Sequence, residues 1–289
     1  MRNIEAKVLL SHVKQPDPWF GLKYNMNLYR GCMHRCIYCD SRSECYGIED
    51  FDGEVLVKTN AIELLRDELS RKRVKGNVGT GSMNDPYMPL ERKAKLTGRA
   101  LAVLAEFGFP VHVMTKSDLV LRDLDILMDI NRTRATVSFT ITTADDDLAA
   151  KVEPYAPPPS ARFQALETLA AHGITVGVSL MPVLPFIEDN VENITAVVTQ
   201  AHDHGATYVI PSFGMTLRDR QRSYYYEQLE QLFPGLADRY RRTCRGDYFC
   251  PARNMESLER AFGDLRARYG FETRVRPYEP VDATQLSLF

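Results

Sequence analysis

Residues 160–178 read SARFQALETLAAHGITVGV and predict one helix followed by one strand. Apolar side chains recur every three or four positions over 161–172, which is the spacing of one face of a helix. We expect Ser160 to cap the start of this helix and Gly173 to end it. The β-branched run 174–178 then predicts a strand. The segment is therefore one αβ unit.

The same pattern recurs on both sides of this unit. The further predicted elements are helices 91–107 and 191–204, ended by Gly108 and Gly205 and the second preceded by Asn190 as a cap, and strands near 25–29, 77–81, 111–114, 136–142 and 208–210. Six strands that alternate with helices imply a parallel sheet covered by helices. We therefore expect an α/β fold built as a barrel or partial barrel.

Composition limits the class of protein. Hydrophobic residues make up 44% and charged residues 26% of the 289 residues, which is typical of a globular protein. No apolar run is long enough to cross a bilayer, so we expect no membrane partner. The net charge of −2 gives no overall attraction to nucleic acid phosphates. We expect one domain over 1–275, with N- and C-terminal extensions, and a flexible linker and tail peptide over 276–289.

Three cysteines stand in a C-x-x-x-C-x-x-C run at Cys32, Cys36 and Cys39. Thiolates are the usual ligands of iron–sulfur clusters, and a cubane with three protein ligands leaves one iron open to another molecule. A structural zinc site usually needs four ligands, and the other cysteines form no second C-x-x-C pair. Disulfides are a further alternative, but the start of the chain does not resemble a secretory signal. We therefore expect a metal site in a cytoplasmic protein.

This cysteine run, with Tyr38 just before the third cysteine, resembles that of the radical SAM superfamily. The resemblance implies a partial (β/α)6 TIM-like barrel and a 4Fe–4S cluster on Cys32, Cys36 and Cys39. It also implies S-adenosylmethionine (SAM) at the open iron, where the reduced cluster cleaves it to a 5′-deoxyadenosyl radical.

Within the superfamily, most of residues 20–215 are similar to the spore photoproduct lyase-like branch, a family of DNA repair enzymes also described as photolyase-like. The matching segments beyond the cysteine run are 79–87, 115–118 and 138–143. The resemblance implies that Tyr38 lies beside the adenosyl group and that Ser82, Lys116 and Ser138 surround SAM. These residue types suit a ligand with a carboxylate, an amino group, a ribose and an apolar adenine.

Two positions depart from the lyase pattern. Those enzymes carry a tyrosine after the third cluster cysteine and a cysteine before the serine that matches Ser82, whereas this chain has Asp40 and Gly81. The remaining cysteines are Cys45, Cys244 and Cys250. They could supply a hydrogen-donating thiol, the last two could hold a second cluster, or they could simply be buried free thiols.

The C-terminal residues Gln285–Phe289 read QLSLF and resemble the bacterial sliding-clamp binding motif. The resemblance implies a tether that raises the enzyme's concentration at DNA. Alternatively, the tail packs on its own barrel. The stretch 217–226 interleaves arginines with tyrosines, which suits either contact with nucleic acid or a helix start with solvated arginines.

Together these features predict a lyase-like radical SAM enzyme that receives electrons from an external donor. The expected substrate is a damaged or modified DNA base, which must be unpaired or extruded before reaction. RNA, a peptide or a small metabolite are alternative substrates. A non-catalytic iron–sulfur protein tethered to the replication clamp is a further alternative.

Overall fold

The structure is a computed structural model that describes residues 1–14 and 17–280. Within these residues the chain forms strands β1 Arg2–Ile4, β2 Leu10–His12, β3 Tyr24–Met26, β4 Tyr29–Arg30, β5 Leu56–Lys58, β6 Val78–Thr80, β7 Val111–Thr115, β8 Ala135–Thr140, β9 Thr175–Leu180, β10 Tyr208–Pro211, β11 Gly214–Thr216 and β12 Phe249–Pro251. The helices are α1 Ala61–Ser70, α2 Glu91–Ala94, α3 Leu96–Glu106, α4 Leu124–Asn131, α5 Asp146–Val152, α6 Pro159–Ala171, α7 Val191–Asp203, α8 Asp219–Leu232, α9 Leu236–Cys244 and α10 Met255–Tyr269. Short 3-10 turns span Asp40–Arg42, Glu44–Tyr46 and Asp118–Asp123.

The main sheet has seven strands in the order β10-β9-β8-β7-β6-β3-β2. Six of them run parallel, and β2 lies antiparallel to β3 at one edge. The register aligns Val113, Val137 and Val176 across three neighbouring strands, and all three are buried. Within the described residues, β10 and β2 do not pair with each other. The predicted partial six-stranded barrel is confirmed, and each predicted barrel strand overlaps an observed one.

The predicted helix over 91–107 is wrong in one respect, because the chain breaks it at Lys95. Lys95 has a left-handed backbone (φ 49°) and separates α2 from α3. The buried Glu91 carboxylate accepts hydrogen bonds from the N–H groups of Leu96 and Thr97, both at 2.9 Å. These N–H groups are the donors that a helix start leaves without an internal partner. Glu91 therefore caps the start of α3, whereas the periodicity predicts a single continuous helix over 91–107.

The expected helix cap at Ser160 is also wrong, whereas the expected helix cap at Asn190 is confirmed. Helix α6 begins two residues earlier than expected, with Pro158 as its cap and Pro159 in its first turn. Proline suits that position because its fixed φ is helical and its missing N–H has no partner there. The side chain of Asn190 accepts from the N–H of Asn193 at 2.8 Å. Gly173 follows α6 with a φ of +73°, as its role at the helix end requires.

Two segments from opposite ends of the chain cover the open side of the barrel. The N–H of Val209 in β10 donates to the Glu272 carbonyl at 3.0 Å, and the N–H of Val275 donates to the Trp19 carbonyl at 2.7 Å. The backbone at Gly21 lies so close to residues 275–277 that an added Cβ would stand 2.7 Å from the Pro277 nitrogen. Segments 17–22 and 271–277 therefore pack against each other on the open side of the barrel.

The predicted boundary between 1–275 and 276–289 stays a prediction, and residues 281–289 lie outside the described part of the chain. Over 1–14 and 17–280, none of the helices has the length and apolar character needed to span a bilayer.

Candidate active site

The cysteine run forms a loop at the carboxyl ends of the parallel strands. Cys32, Cys36 and Cys39 are free thiols, and all three line one cavity of about 610 Å³. The same cavity is lined by residues that follow β6, β7 and β9, including Gly81, Ser82, Asn84, Asp85, Lys116, Met181 and Pro182. Active sites in barrels of this type form at this end of the sheet.

The chemistry of the three thiols fits an iron–sulfur cluster. Burial raises the pKa of each thiol, that of Cys32 to about 12 with further contributions from Asp85 and Cys39. The thiolates therefore need nearby positive charge, which iron supplies. Across the described residues, no three His, Cys, Asp or Glu side chains are arranged so that they could bind one metal ion together. A cubane binds each cysteine through a different iron, so its ligands do not converge on one point.

Behind the loop, Tyr38 and Lys116 share a buried carboxylate. Tyr38 lines the cavity and its hydroxyl donates to Glu153. Lys116 Nζ lies 3.9 Å from Glu153 Oε1, and Arg162 Nη2 lies 2.5 Å from Glu153 Oε2. Burial alone would raise the pKa of Glu153, but Arg162 and Lys116 outweigh it and lower this pKa. The network fixes the cavity wall and leaves a cation in it at Lys116.

Asp85 joins the cysteine loop to two strand ends. His34 Nε2 lies 3.2 Å from Asp85 Oδ2, and His34 Nδ1 lies 3.0 Å from the Tyr155 carbonyl oxygen. The same carboxylate accepts from the Thr115 hydroxyl at 2.7 Å and from the Lys116 N–H at 2.6 Å. Burial would raise the pKa of Asp85, but His34 and these donors lower it to about 2. Asp85 is therefore an anion that positions the loop.

The loop after β6 offers two polar groups to the cavity. Ser82 Oγ is exposed and lies 2.8 Å from Asn25 Nδ2 and 3.3 Å from Asn27 Nδ2. Asn84 lines the cavity with 6% of its surface exposed, and its buried Oδ1 has no hydrogen-bond partner in the structure. Buried polar atoms are rarely left unpaired, so this oxygen suits a donor on a bound ligand.

The structure does not bring Ser138 to this cavity. Its side chain is fully buried, with Oγ 2.7 Å from His112 Nε2 and 2.7 Å from the Tyr208 hydroxyl. Thr140, two residues further along β8, does line the cavity. Alternate residues of a strand share a face, so Ser138 lies on the same side of the sheet but one level deeper. Of the residues expected around SAM, the cavity gathers Tyr38, Ser82 and Lys116.

Sequence reasoning missed Glu153, His34, Asp85 and Asn84 as site residues. Asp85 and Asn84 belong to a stretch that carried the family resemblance, yet nothing local distinguishes a buried anion from a turn residue. Glu153 precedes a proline-rich loop, and only its buried partners reveal its position.

The radical SAM superfamily profile matches residues 26–198, which is more than half of the chain. The chain belongs to the radical SAM superfamily. An uncharacterised Mycobacterium tuberculosis protein is 32% identical over 265 residues, covering 89% of this chain and 78% of the relative. An uncharacterised Methanocaldococcus jannaschii protein is 33% identical over 188 residues, covering 64% of this chain and 68% of the relative.

Solved structures agree on the fold. A spore photoproduct lyase variant superimposes with a TM-score of 0.69 at 14% identity, covering 92% of this chain and 78% of the lyase. A second lyase variant, with bound SAM and a dinucleoside spore photoproduct, gives 0.67 at 16% identity, covering 94% and 79%. The radical SAM methyltransferase TsrM from Kitasatospora setae gives 0.56 at 12% identity, covering 84% of this chain and 51% of TsrM. At these identities the likeness concerns the fold.

This protein is therefore a radical SAM enzyme, with SAM and a 4Fe–4S cluster as its cofactors. The cavity suits both: three free thiols lie at one side, and a cation, a hydroxyl and an unpaired amide oxygen lie nearby.

The other cysteines of this radical SAM enzyme lie outside the cavity lining. Cys244 and Cys250 form a disulfide, with their Cα atoms 5.2 Å apart, so the expectation of free thiols or a second cluster at this pair is wrong. The end of α9 and strand β12 hold them within bonding reach. Cys45 is a free, exposed thiol that lies 3.1 Å from Arg218 Nη1.

The arginines of 217–226 brace the protein itself. Arg218 pairs with Asp40 at 2.8 Å, Arg220 Nε donates to the Arg42 carbonyl at 2.5 Å, and Arg222 Nη2 donates to the Gly246 carbonyl at 2.8 Å. These three side chains are therefore engaged by backbone and carboxylate oxygens. These arginines are half-buried rather than fully solvated, and contact of the stretch with nucleic acid stays a prediction.

Proposed function

We propose that this radical SAM enzyme repairs or modifies a base in DNA. The observation that carries the proposal is the cavity, because it combines the three free thiols with polar groups for SAM and remains bordered elsewhere by open, partly aromatic walls. The fold shared with spore photoproduct lyases over 94% of the chain supports the choice of a nucleic acid substrate. Two of those lyase structures contain a dinucleoside spore photoproduct.

Six residues of the cavity have a proposed role. Cys32, Cys36 and Cys39 hold the cluster, and Lys116 and Ser82 bind the polar part of SAM. Tyr38, held by Glu153, forms the wall beside the adenosyl group. When bound, the two cofactors supply a 5′-deoxyadenosyl radical that abstracts hydrogen from an unreactive carbon. The barrel orients the substrate and keeps water away from the reacting atoms.

The proposed reaction includes no hydrogen return from a thiol at residue 81. Gly81 has no side chain, and its backbone adopts a φ of +94° beside Met114. Asp40, at the position of the lyase tyrosine, accepts from the Thr216 hydroxyl at 2.8 Å and pairs with Arg218. The position after the third cysteine is thus committed to internal contacts.

The test is anaerobic reconstitution with iron, sulfide and dithionite, followed by addition of SAM. We expect release of 5′-deoxyadenosine, and transfer of deuterium from a labelled lesion-bearing oligonucleotide into it. The Cys36→Ala variant should lose both signals, whereas the matched Cys45→Ala variant should retain them because Cys45 lies outside the cavity lining. An intact cluster that never cleaves SAM would contradict radical catalysis, and cleavage without transfer from any DNA would contradict the substrate.

We also propose that the tail tethers this cytoplasmic enzyme to a bacterial sliding clamp. The proposal rests on residues Gln285–Phe289 of the sequence, which lie outside the described residues. Deleting 285–289 should abolish clamp binding in a pull-down while SAM cleavage continues. Unchanged binding would contradict the proposed tether. An external electron donor is a further proposed partner of the enzyme.

A further inference from the structure

Trp19, the single tryptophan of the chain, stands at the border of the cavity with 45% of its surface exposed. Isolated hydrophobic residues on a protein surface need no explanation. This one differs because its side chain lines the cavity that holds the cluster cysteines. A large aromatic surface is therefore presented to whatever enters.

The backbone that carries Trp19 is held firmly. The Asp17 carboxylate accepts from the N–H groups of Trp19 and Phe20, both at 3.0 Å, and the Trp19 carbonyl accepts from Val275 at 2.7 Å. The neighbouring Phe20 ring packs edge-on against His112, with ring centroids 5.4 Å apart. Because Asp17 and Val275 hold the backbone of this segment, the backbone loses little entropy when a ligand binds beside Trp19.

Other cavity groups suit a flat heterocycle. Phe249, which is 41% exposed, also lines the cavity from β12. Asn25 and Asn84 bring amide groups to it, and amides match the donors and acceptors on the edge of a base.

Charge favours recognition through the base. The chain has a net charge of −2, and Arg218, Arg220 and Arg222 are held by protein oxygens. The net charge therefore gives no overall attraction to phosphates. Aromatic stacking does not depend on net charge, and each base contributes about 1–3 kcal/mol by alanine substitution.

We propose that Trp19 is a stacking platform for an unpaired nucleobase that enters the cavity from single-stranded or locally opened nucleic acid. The inference rests on the proposed function and adds to it the residue that receives the base. The base must be unstacked, because a base within a duplex cannot offer its face to the indole.

The test measures binding of a fluorescein-labelled single-stranded 10-mer to the reconstituted enzyme by anisotropy. Trp19→Ala should weaken binding about 5- to 150-fold, the factor that corresponds to about 1–3 kcal/mol. Trp19→Phe keeps an aromatic face and should lose much less. Met128→Ala removes an equally exposed side chain from α4 and should bind as the wild type does. Melting curves of the three variants report whether each is folded.

A second readout uses the wild-type protein alone. Because Trp19 is the sole tryptophan, its fluorescence should be quenched by the 10-mer and remain unchanged with a sugar-phosphate chain of equal length without bases. Equal binding by wild type and Trp19→Ala, equal quenching by the base-free chain, or tighter binding of an unrelated basic peptide would each overturn the platform. If any of these occurs while the wild type still releases 5′-deoxyadenosine, the platform alone fails and radical catalysis stands.

Discussion

Glu153→Gln should destabilise the protein by about 3 kcal/mol. The substitution keeps the size of the side chain but removes the charge that faces Arg162 at 2.5 Å, with both side chains at most 2% exposed. Removing one partner of a buried ion pair costs about 3–5 kcal/mol, because the other charge remains desolvated. The lower end of this range applies here, since Arg162 keeps its bonds to the Pro157 and Thr140 carbonyls at 2.8 and 2.9 Å.

The assay is urea unfolding followed by far-UV circular dichroism, with the midpoint compared at constant slope. Glu256→Gln is the matched control, because Glu256 pairs with Arg260 at 3.0 Å on the surface, where 90% of its side chain is exposed. Such pairs contribute little, so this variant should unfold with the wild type. A Glu153→Gln midpoint as close to the wild type as the control's would refute the reasoning.

The double variant Glu153→Gln with Arg162→Met separates charge from packing. If an unpaired buried cation causes the loss, removing that cation as well should recover part of the stability, so the double variant should cost less than the sum of the two single variants. Strict additivity would mean that the two side chains act independently.

Three further predictions concern buried or strained positions. Burial lowers the pKa of His112 to about 4, so the folded state keeps it neutral, and the contribution of His112 to stability should fall by up to about 1.4 kcal/mol per pH unit as pH drops from ~6.5 to ~4. The stability difference between wild type and His112→Gln in urea titrations should change with pH by that amount, and a difference that stays constant would exclude His112 as its source. Burial raises the pKa of Glu188 to about 8, so the folded state binds the extra proton, and the contribution of Glu188 to stability should decline as pH rises from ~4.5 to ~8. The same titrations of Glu188→Gln should show a weaker decline; an equal decline in both proteins would contradict the assignment. Gly81→Cys should lower the melting temperature more than Gly47→Cys. Both glycines have a positive φ, so both substitutions strain the backbone. Only at Gly81 would the added Cβ also meet the Met114 carbonyl oxygen, whereas Gly47 faces open space. Equal losses would mean that backbone strain alone acts at both sites.

The local parts of the fold were predictable because their signals lie within a few residues of each other. Helical spacing followed by glycine and a β-branched run predicts α6 with β9 and α7 with β10, and each predicted barrel strand overlaps an observed one. The failures at Lys95 and Ser160 have different causes. The buried Glu91 carboxylate decides where α3 begins, and a proline run decides where α6 begins.

The residues of the site divide in the same way. Spacing alone groups Cys32, Cys36 and Cys39, since the first and the last are only seven positions apart and one loop must carry them all. Periodicity also indicates that Ser138 and Thr140 share a face of β8. It does not report depth along the barrel, and this depth leaves Thr140 at the cavity and Ser138 bonded beneath it.

By itself, the sequence determined the alternation of helices and strands, the cysteine loop and the family to which the chain belongs. Only the tertiary structure decided that Tyr38 meets Glu153 across 115 positions of the chain, that Cys244 pairs with Cys250, and that Trp19 borders the cavity. The physical reason is that helical periodicity, capping and ligand spacing act over a few residues. Burial, ion pairing and cavity shape depend on which distant segments the closing sheet brings together.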